Sequence, residues 1–186
     1  MFANKPTLVG ERVTLRPVGP EHVDGLLDLL ADPEVRRLTG SHADPAGREA
    51  ATRWYSTRGE QSDRLDLAIC VGEEYVGEVV LNELDGDNLS CNLRVALLGA
   101  RVFGKGFGSE AIRLVLDHAF TTTPLHRISL DVFAFNDRAR HVYEKLGFVE
   151  EGVLRDALRW GGEWHDSISM AVLRPDWATR GRPARF

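Results

Sequence analysis

The sequence predicts an α/β (mixed α+β) fold, a mixed, mostly antiparallel sheet of about seven strands flanked by about four helices. Three observations carry this. The apolar periodicity reads β-α-α-β-β-β-α-β-α-β-β along the chain, residues 65–98 hold three alternating strands in succession, and residues 94–111 pass from an apolar run through glycines into a helical pattern. Consecutive short-turned strands pair as an antiparallel meander, whereas a strand–helix–strand crossover requires parallel pairing, so one sheet must contain both.

Residues 11–18 alternate, with Val13 and Leu15 on one face and Arg12, Thr14 and Arg16 on the other, a half-buried first strand ended by Pro17 and Pro20. Leu26, Leu27 and Leu30 recur at helical spacing, and Asp32–Pro33 is read as the stop of that helix. Turn-formers fill 40–47. Residues 48–58 then form a short helix whose Trp54 and Tyr55 are read as core and rim packing before pocket lining. Leu65, Leu67, Ile69 and Val71 alternate; residues 75–82 and 89–98 follow after the turns G-E-E and D-G-D-N. Residues 106–120 are helical, with Ala111, Leu114, Val115, His118 and Ala119 sharing a face. Ile128, Leu130 and Val132 line one face of a strand over 127–134, Asn136 caps the next helix, and Gly147 ends it. Residues 148–154 and 163–173 close the sheet, with Gly161–Gly162 as a hairpin turn. The organisation expected is a single domain over 1–175 and a frayed, Pro- and Arg-rich tail over 176–186.

Composition narrows the function. A chain of 186 residues with 43% hydrophobic and 27% charged residues suits one globular domain. A formal charge of −5 argues against charge-driven nucleic-acid binding, and no run of about 18 apolar residues predicts a membrane span. Cys70 and Cys91 stand alone, and the six histidines form no helical pair, so no metal site and no disulfide are expected. The expected location is cytoplasmic, with no membrane or nucleic-acid partner; a homodimer is compatible with the sequence.

The glycines at 104, 106 and 108 are the chemical focus. A strand that turns through glycine into a helix aims backbone N–H groups and the positive helix end at one point, which suits a phosphate. A Walker-type loop needs Gly-Lys before Ser or Thr, but Lys105 precedes Gly106; a dinucleotide fingerprint needs a third glycine where Phe107 or Ser109 stands. The remaining ligand reading is a loop whose amides hold the pyrophosphate of coenzyme A, and the alternative is a glycine-rich turn with no ligand.

Segment 103–111, F-G-K-G-F-G-S-E-A, resembles the acetyl-CoA loop of the GNAT N-acetyltransferase superfamily, with Phe103 at the position usually held by Gln or Arg. Sliding the motif back two residues would instead place Arg101 there; the first register leads directly into the helix. A second segment, N-D-R-A-R-H-V-Y-E-K-L-G-F at 136–148, resembles the family's Asn-to-Tyr-Glu-Lys-x-Gly-Phe segment. Segments 8–17 and 154–170 look like the subgroup of ribosomal-protein N-terminal and spermidine acetyltransferases. The resemblance implies a GNAT-type fold and an acetyl-CoA-dependent N-acetyltransferase acting on a primary amine, whether a protein N-terminus, a polyamine or another small amine. It implies cofactor contacts from Ala96, Leu97 and Leu98 beside the pantetheine arm and from Phe103, Gly104, Lys105, Gly106, Phe107, Gly108 and Ser109 at the pyrophosphate. Asn136 and Arg140 of the following helix complete that set.

Tyr143 is the expected catalytic residue. A phenol with an ordinary pKa of about 10 is protonated at neutral pH and can return a proton to a departing thiolate. Glu83, Asp166, Glu78 and His141 are open candidates for a base, and none is assigned; pairing of Glu83 or Asp166 with Arg94 or Arg155 is the structural alternative. Trp54, Tyr55, Trp160 and Trp164 would suit several amines. A catalytically silent acyl-CoA-binding regulator and an enzyme using another acyl-CoA, such as succinyl-CoA, are the competing functions.

Overall fold

A computed structural model describes residues 1–44 and 47–180. Its strands are β1 (Leu8–Val9), β2 (Thr14–Pro17), β3 (Leu65–Val71), β4 (Glu74–Asp85), β5 (Ser90–Leu97), β6 (Arg127–Phe133), β7 (Val149–Trp160) and β8 (Glu163–Leu173). Its helices are α1 (Val23–Ala31), α2 (Pro33–Thr39), α3 (Arg48–Arg58), α4 (Phe107–Thr122), α5 (Asp137–Lys145) and α6 (Arg174–Arg180), with a 3₁₀ turn at Pro20–His22.

The strands form one eight-stranded sheet in the order β1-β2-β3-β4-β5-β6-β8-β7, in which β5–β6 is the parallel pair and every other neighbour is antiparallel. That is the mixed, mostly antiparallel sheet expected from the sequence. The meander is β3-β4-β5, and α4 is the crossover that returns the chain to β6 in parallel.

The helices cover both faces. Gly77↔Leu97 and Glu78↔Ala96 are adjacent register pairs, so their side chains leave the sheet on opposite sides. Leu97 meets α4 at Gly108, whereas Glu78 accepts the Tyr55 hydroxyl of α3 at 2.7 Å. Buried Ala111, Ile112, Val115, Leu116 and Ala119 seat α4 against the sheet; on the other side the Tyr75 ring lies where a side chain on Gly25 of α1 would be.

Four sequence expectations need correction. The sheet has eight strands rather than seven because Leu8–Val9 pairs with Leu15 and Thr14, a ladder too short to show alternation. Asp32–Pro33 stops α1 and also starts α2: the Asp32 carboxylate accepts the N–H groups of Glu34 and Val35 at 2.8 and 3.0 Å, and proline at the first helical position has no N–H to lose. The last strand lies over 163–173 as expected, but the strand before it runs longer than expected, because β7 continues past an irregularity between Leu154 and Leu158 to the Gly161–Gly162 turn. The tail expected over 176–186 is helical as far as Arg180. The Arg174 guanidinium binds the carbonyls of Leu125 at 2.7 Å, Thr123 at 2.5 Å and Phe120, which closes the end of α4, and Trp177 donates to Asp117 at 2.8 Å. Residues 45–46 of the expected turn and 181–186 of the expected tail lie outside the described residues.

Candidate active site

The cleft begins where the sheet comes apart. β5 and β6 pair only at Ser90↔Arg127, Cys91↔Ile128 and Asn92↔Ser129, although β5 continues to Leu97 and β6 to Phe133. Twist carries the unpaired halves away from each other, so a gap passes through the sheet at the carboxyl ends of two parallel strands. The resulting cavity has a volume of about 720 Å³. Its walls are Val95, Ala96 and Leu97 of β5, Val132 and Phe133 of β6, the loop before α4, and α5.

The loop closes one end. Gly104 and Gly106 have φ of 74° and 84°, the left-handed region that favours glycine, which lets the chain turn there from β5 into α4 without backbone strain. Among the described residues no side chain caps α4, and its first turn lines the cleft mouth. Gly108 permits close approach: a β-carbon there would lie 3.2 Å from Leu97 Cδ1. Open amides, the positive helix end and an elongated cavity together fit a pyrophosphate-bearing ligand such as coenzyme A.

Tyr143 of α5 lines the same cavity, with its ring edge-on to Phe148 at 5.7 Å between centroids. Burial pushes its phenol up to about 12, so the O–H form is the resting state. Asn136 lines the cleft and caps α5, accepting the Ala139 N–H at 3.2 Å.

Most of the expected cofactor residues converge. Ala96, Leu97, Phe103, Gly104, Gly106, Phe107, Gly108, Ser109, Asn136 and Tyr143 all line the cavity, and Leu98, Lys105 and Arg140 do not. Leu98 is buried and donates its N–H to the Val76 carbonyl at 2.9 Å. Lys105 borders a smaller hollow of about 230 Å³ on another side of the loop. Arg140 faces Asp137 and Glu144 at 3.7 and 3.5 Å. At 100° per residue, Arg138, Ala139, Val142 and Tyr143 share an arc of about 140° from which Arg140 is excluded. Arg138, which the sequence reading did not name, lines the cavity instead. Its guanidinium lies 3.7 Å from the Phe103 ring centroid and 3.7 Å from Glu34, joining α5, the loop and α2. The signal was available in the 138/142 helical spacing.

Two carboxylates, Glu83 and Asp131, line the cleft together with Arg94. Glu83 sits in a register shift between Asn82 and Asp85 with φ of 54°, and Asp131 of β6, which accepts the Ser169 hydroxyl, faces the same cavity. Val35, Leu38 and Thr39 line it from the helix the sequence reading lacked. The other candidates for a base do not line the cleft. Asp166 accepts the Asp156 N–H at 2.9 Å rather than an arginine, His141 is exposed outside the cleft, and Glu78 of β4 faces α3 and does not line the cavity. The Glu78 carboxyl is raised above the ordinary range, chiefly by burial. Tyr55 donates to it and also contacts the Tyr75 hydroxyl at 3.1 Å, so Tyr55 is core. Trp54, Trp160 and Trp164 do not line the cavity either; the Trp54 ring instead carries the Arg58 guanidinium 3.6 Å from its centroid.

A sheet split beside a glycine-led helix whose first amides carry no side-chain cap, with a buried phenol lining the split, is an arrangement that suits an elongated, phosphate-bearing ligand. The family profile described as "Acetyltransferase (GNAT) domain" matches residues 12–149, and the chain belongs to that family. It is 30% identical over 176 residues to the uncharacterized N-acetyltransferase p20 of Bacillus licheniformis, an alignment covering 92% of this chain and 98% of p20. It is 28% identical over 162 residues to the spermidine N(1)-acetyltransferase of Escherichia coli K12, covering 87% and 86% of the two chains. The fold superposes on spermidine N-acetyltransferase from Vibrio cholerae in complex with CoA and spermine with a TM-score of 0.82 at 24% identity, covering 91% of this chain and 99% of that one. Among the described residues there is no group of acidic, histidine and cysteine side chains able to hold a metal, and no helix is long and apolar enough to cross a membrane.

Proposed function

We propose that this chain transfers the acetyl group of acetyl-CoA to a primary amine, with Tyr143 returning a proton to the departing thiolate sulfur. One observation carries the reading: the amide loop and the Tyr143 hydroxyl open into a single cleft at the split between β5 and β6. Bound coenzyme A would supply an activated thioester. The amides at Gly104 and at Gly106 through Ser109 would hold its pyrophosphate, with Arg138 beside them. Leu98 N–H points to β4, so alternation along β5 turns the Leu97 N–H to the gap, where it would polarise the acetyl carbonyl. Asn136 would fix the pantetheine arm through its amide.

The acceptor enters from the opposite end, where Glu83 and Asp131 attract a cationic amine. The acceptor we favour is a polyamine. Support comes from those two carboxylates and from the relatives named as spermidine acetyltransferases. The attacking amine loses its proton to solvent, and Tyr143 is reprotonated from the same source.

Thiol release measured across polyamines, N-terminal peptides and other primary amines tests the reading, with a polyamine expected to give the highest kcat/KM. Tyr143→Phe is expected to lower kcat by about 100-fold or more while changing the Kd for coenzyme A by less than about threefold. Undiminished turnover in that variant removes Tyr143 from the proton-donor role.

A further inference from the structure

Glu110, in the first turn of α4, is a buried carboxylate with an unusual set of partners. It accepts the backbone N–H of Glu11 and, through both oxygens at 3.2 Å, the backbone N–H of Arg12. The turn between β1 and β2 is thereby tied to the start of α4, and the Gly10 N–H closes it on the Val13 carbonyl at 2.9 Å. A side chain on Gly10 would collide with the same carboxylate.

The tie aims Arg12. Its Nη1 would lie 2.4 Å from a β-carbon on Gly106, directly against the glycine loop. Two other arginines near the loop are answered by acids, Arg101 by Glu74 at 3.6 Å and Arg138 by Glu34 at 3.7 Å. The Arg12 guanidinium has no acidic partner among the described residues, because Glu110 is engaged by the backbone. An exposed cation is thus held in place by three backbone hydrogen bonds on its own turn, with its charge unspent.

Arg12 does not line the cleft. It stands at the outer side of the loop, past the amides that open inward. A coenzyme A molecule whose pyrophosphate lies on those amides has its thioester arm inside the cleft and its 3′-phosphoadenosine outside. We propose that Arg12 binds the adenosine 3′-phosphate and makes the enzyme select coenzyme A over 3′-dephospho-coenzyme A. The inference rests on the coenzyme A reading of the loop and assigns to Arg12 a specificity that the loop amides lack.

Calorimetric titration of the intact protein with coenzyme A and with 3′-dephospho-coenzyme A tests it. The unmodified chain should bind coenzyme A about five- to tenfold more tightly, as expected for one charge-assisted contact at an exposed site, and added salt should shrink that ratio. Arg12→Ala should bring the ratio to about one, leaving the affinity for the dephospho form unchanged. Arg12→Lys should retain part of the preference, and Arg138→Ala should weaken both ligands alike. Equal affinities in the unmodified chain, or an Arg12→Ala variant that keeps the ratio or weakens both ligands equally, overturn the assignment while leaving the coenzyme A site intact. Failure of the unmodified chain to bind either ligand overturns the site and the assignment together. The two-ligand comparison on the unmodified chain stands even if a variant does not fold.

Discussion

Tyr143 projects from the buried face of α5, and its environment sets its chemistry. Removing a phenol from water penalises the phenolate, which is why the group is pushed up to about 12. For an acid, a raised pKa means that the neutral form persists to higher pH. The pH profile of kcat/KM should therefore rise as the acceptor amine loses its proton and show no descending limb near the ordinary phenol value of about 10. A fall centred there that Tyr143→Phe abolishes would contradict the burial argument. Residue-level legibility was uneven for a physical reason. The glycines, Asn136 and Tyr143 were readable because a turn, a cap and a helix face each need particular residue types at particular spacing. Arg138 and Arg140 differ only in which side of α5 they leave, about 200° apart around the helix. The partners of Asp166 and Glu110 are backbone N–H groups distant in sequence, which side-chain patterns do not encode.

At the scale of elements, the chain uses one dipeptide for two purposes. Asp32–Pro33 ends α1, since the residue before proline disfavours helical backbone, and the same aspartate caps α2. Read as a stop alone, it hid α2 and with it the cleft wall formed by Val35, Leu38 and Thr39. Asp32→Ala removes the acceptor for two helix-start amides and should lower unfolding stability by about 1 kcal/mol, measured by urea denaturation with an unchanged m-value. Weaker acceptor binding should accompany it, since α2 carries its wall residues into the site. α6 escaped the sequence reading for a different reason. It is held by the Arg174 guanidinium on the carbonyl end of α4 and by Trp177 on Asp117, tertiary bonds to a helix about fifty residues earlier, with no apolar period to announce them.

Across the whole molecule, function depends on the interruption in the sheet. Three register pairs hold β5 to β6 near Cys91 and Ile128, and past them the same two strands become opposing walls. Loop, strand and α5 each contribute one surface to the cavity, so a ligand filling it joins elements that are otherwise in limited contact. Coenzyme A at about 100 times its Kd should stabilise the fold by about 2.7 kcal/mol and raise Tm by about 5–10 °C in a thermal melt. A melt unmoved by coenzyme A would remove the cleft as its binding site.

The sequence by itself determined the elements from β2 to β8 other than α2, together with the antiparallel meander, the parallel crossover through α4 and the two motifs that resemble an acetyltransferase, because these depend on local periodicity, turn chemistry and short-range spacing. Only the tertiary structure decided where β5 and β6 separate, which arginines face the loop and which carboxylates remain open to the cleft. Those outcomes follow from sheet twist and from backbone hydrogen bonds between distant segments. Glu110 shows the difference: in the sequence it is an acidic residue in the first turn of a helix, and in the fold it holds the turn that brings Arg12 to Gly106.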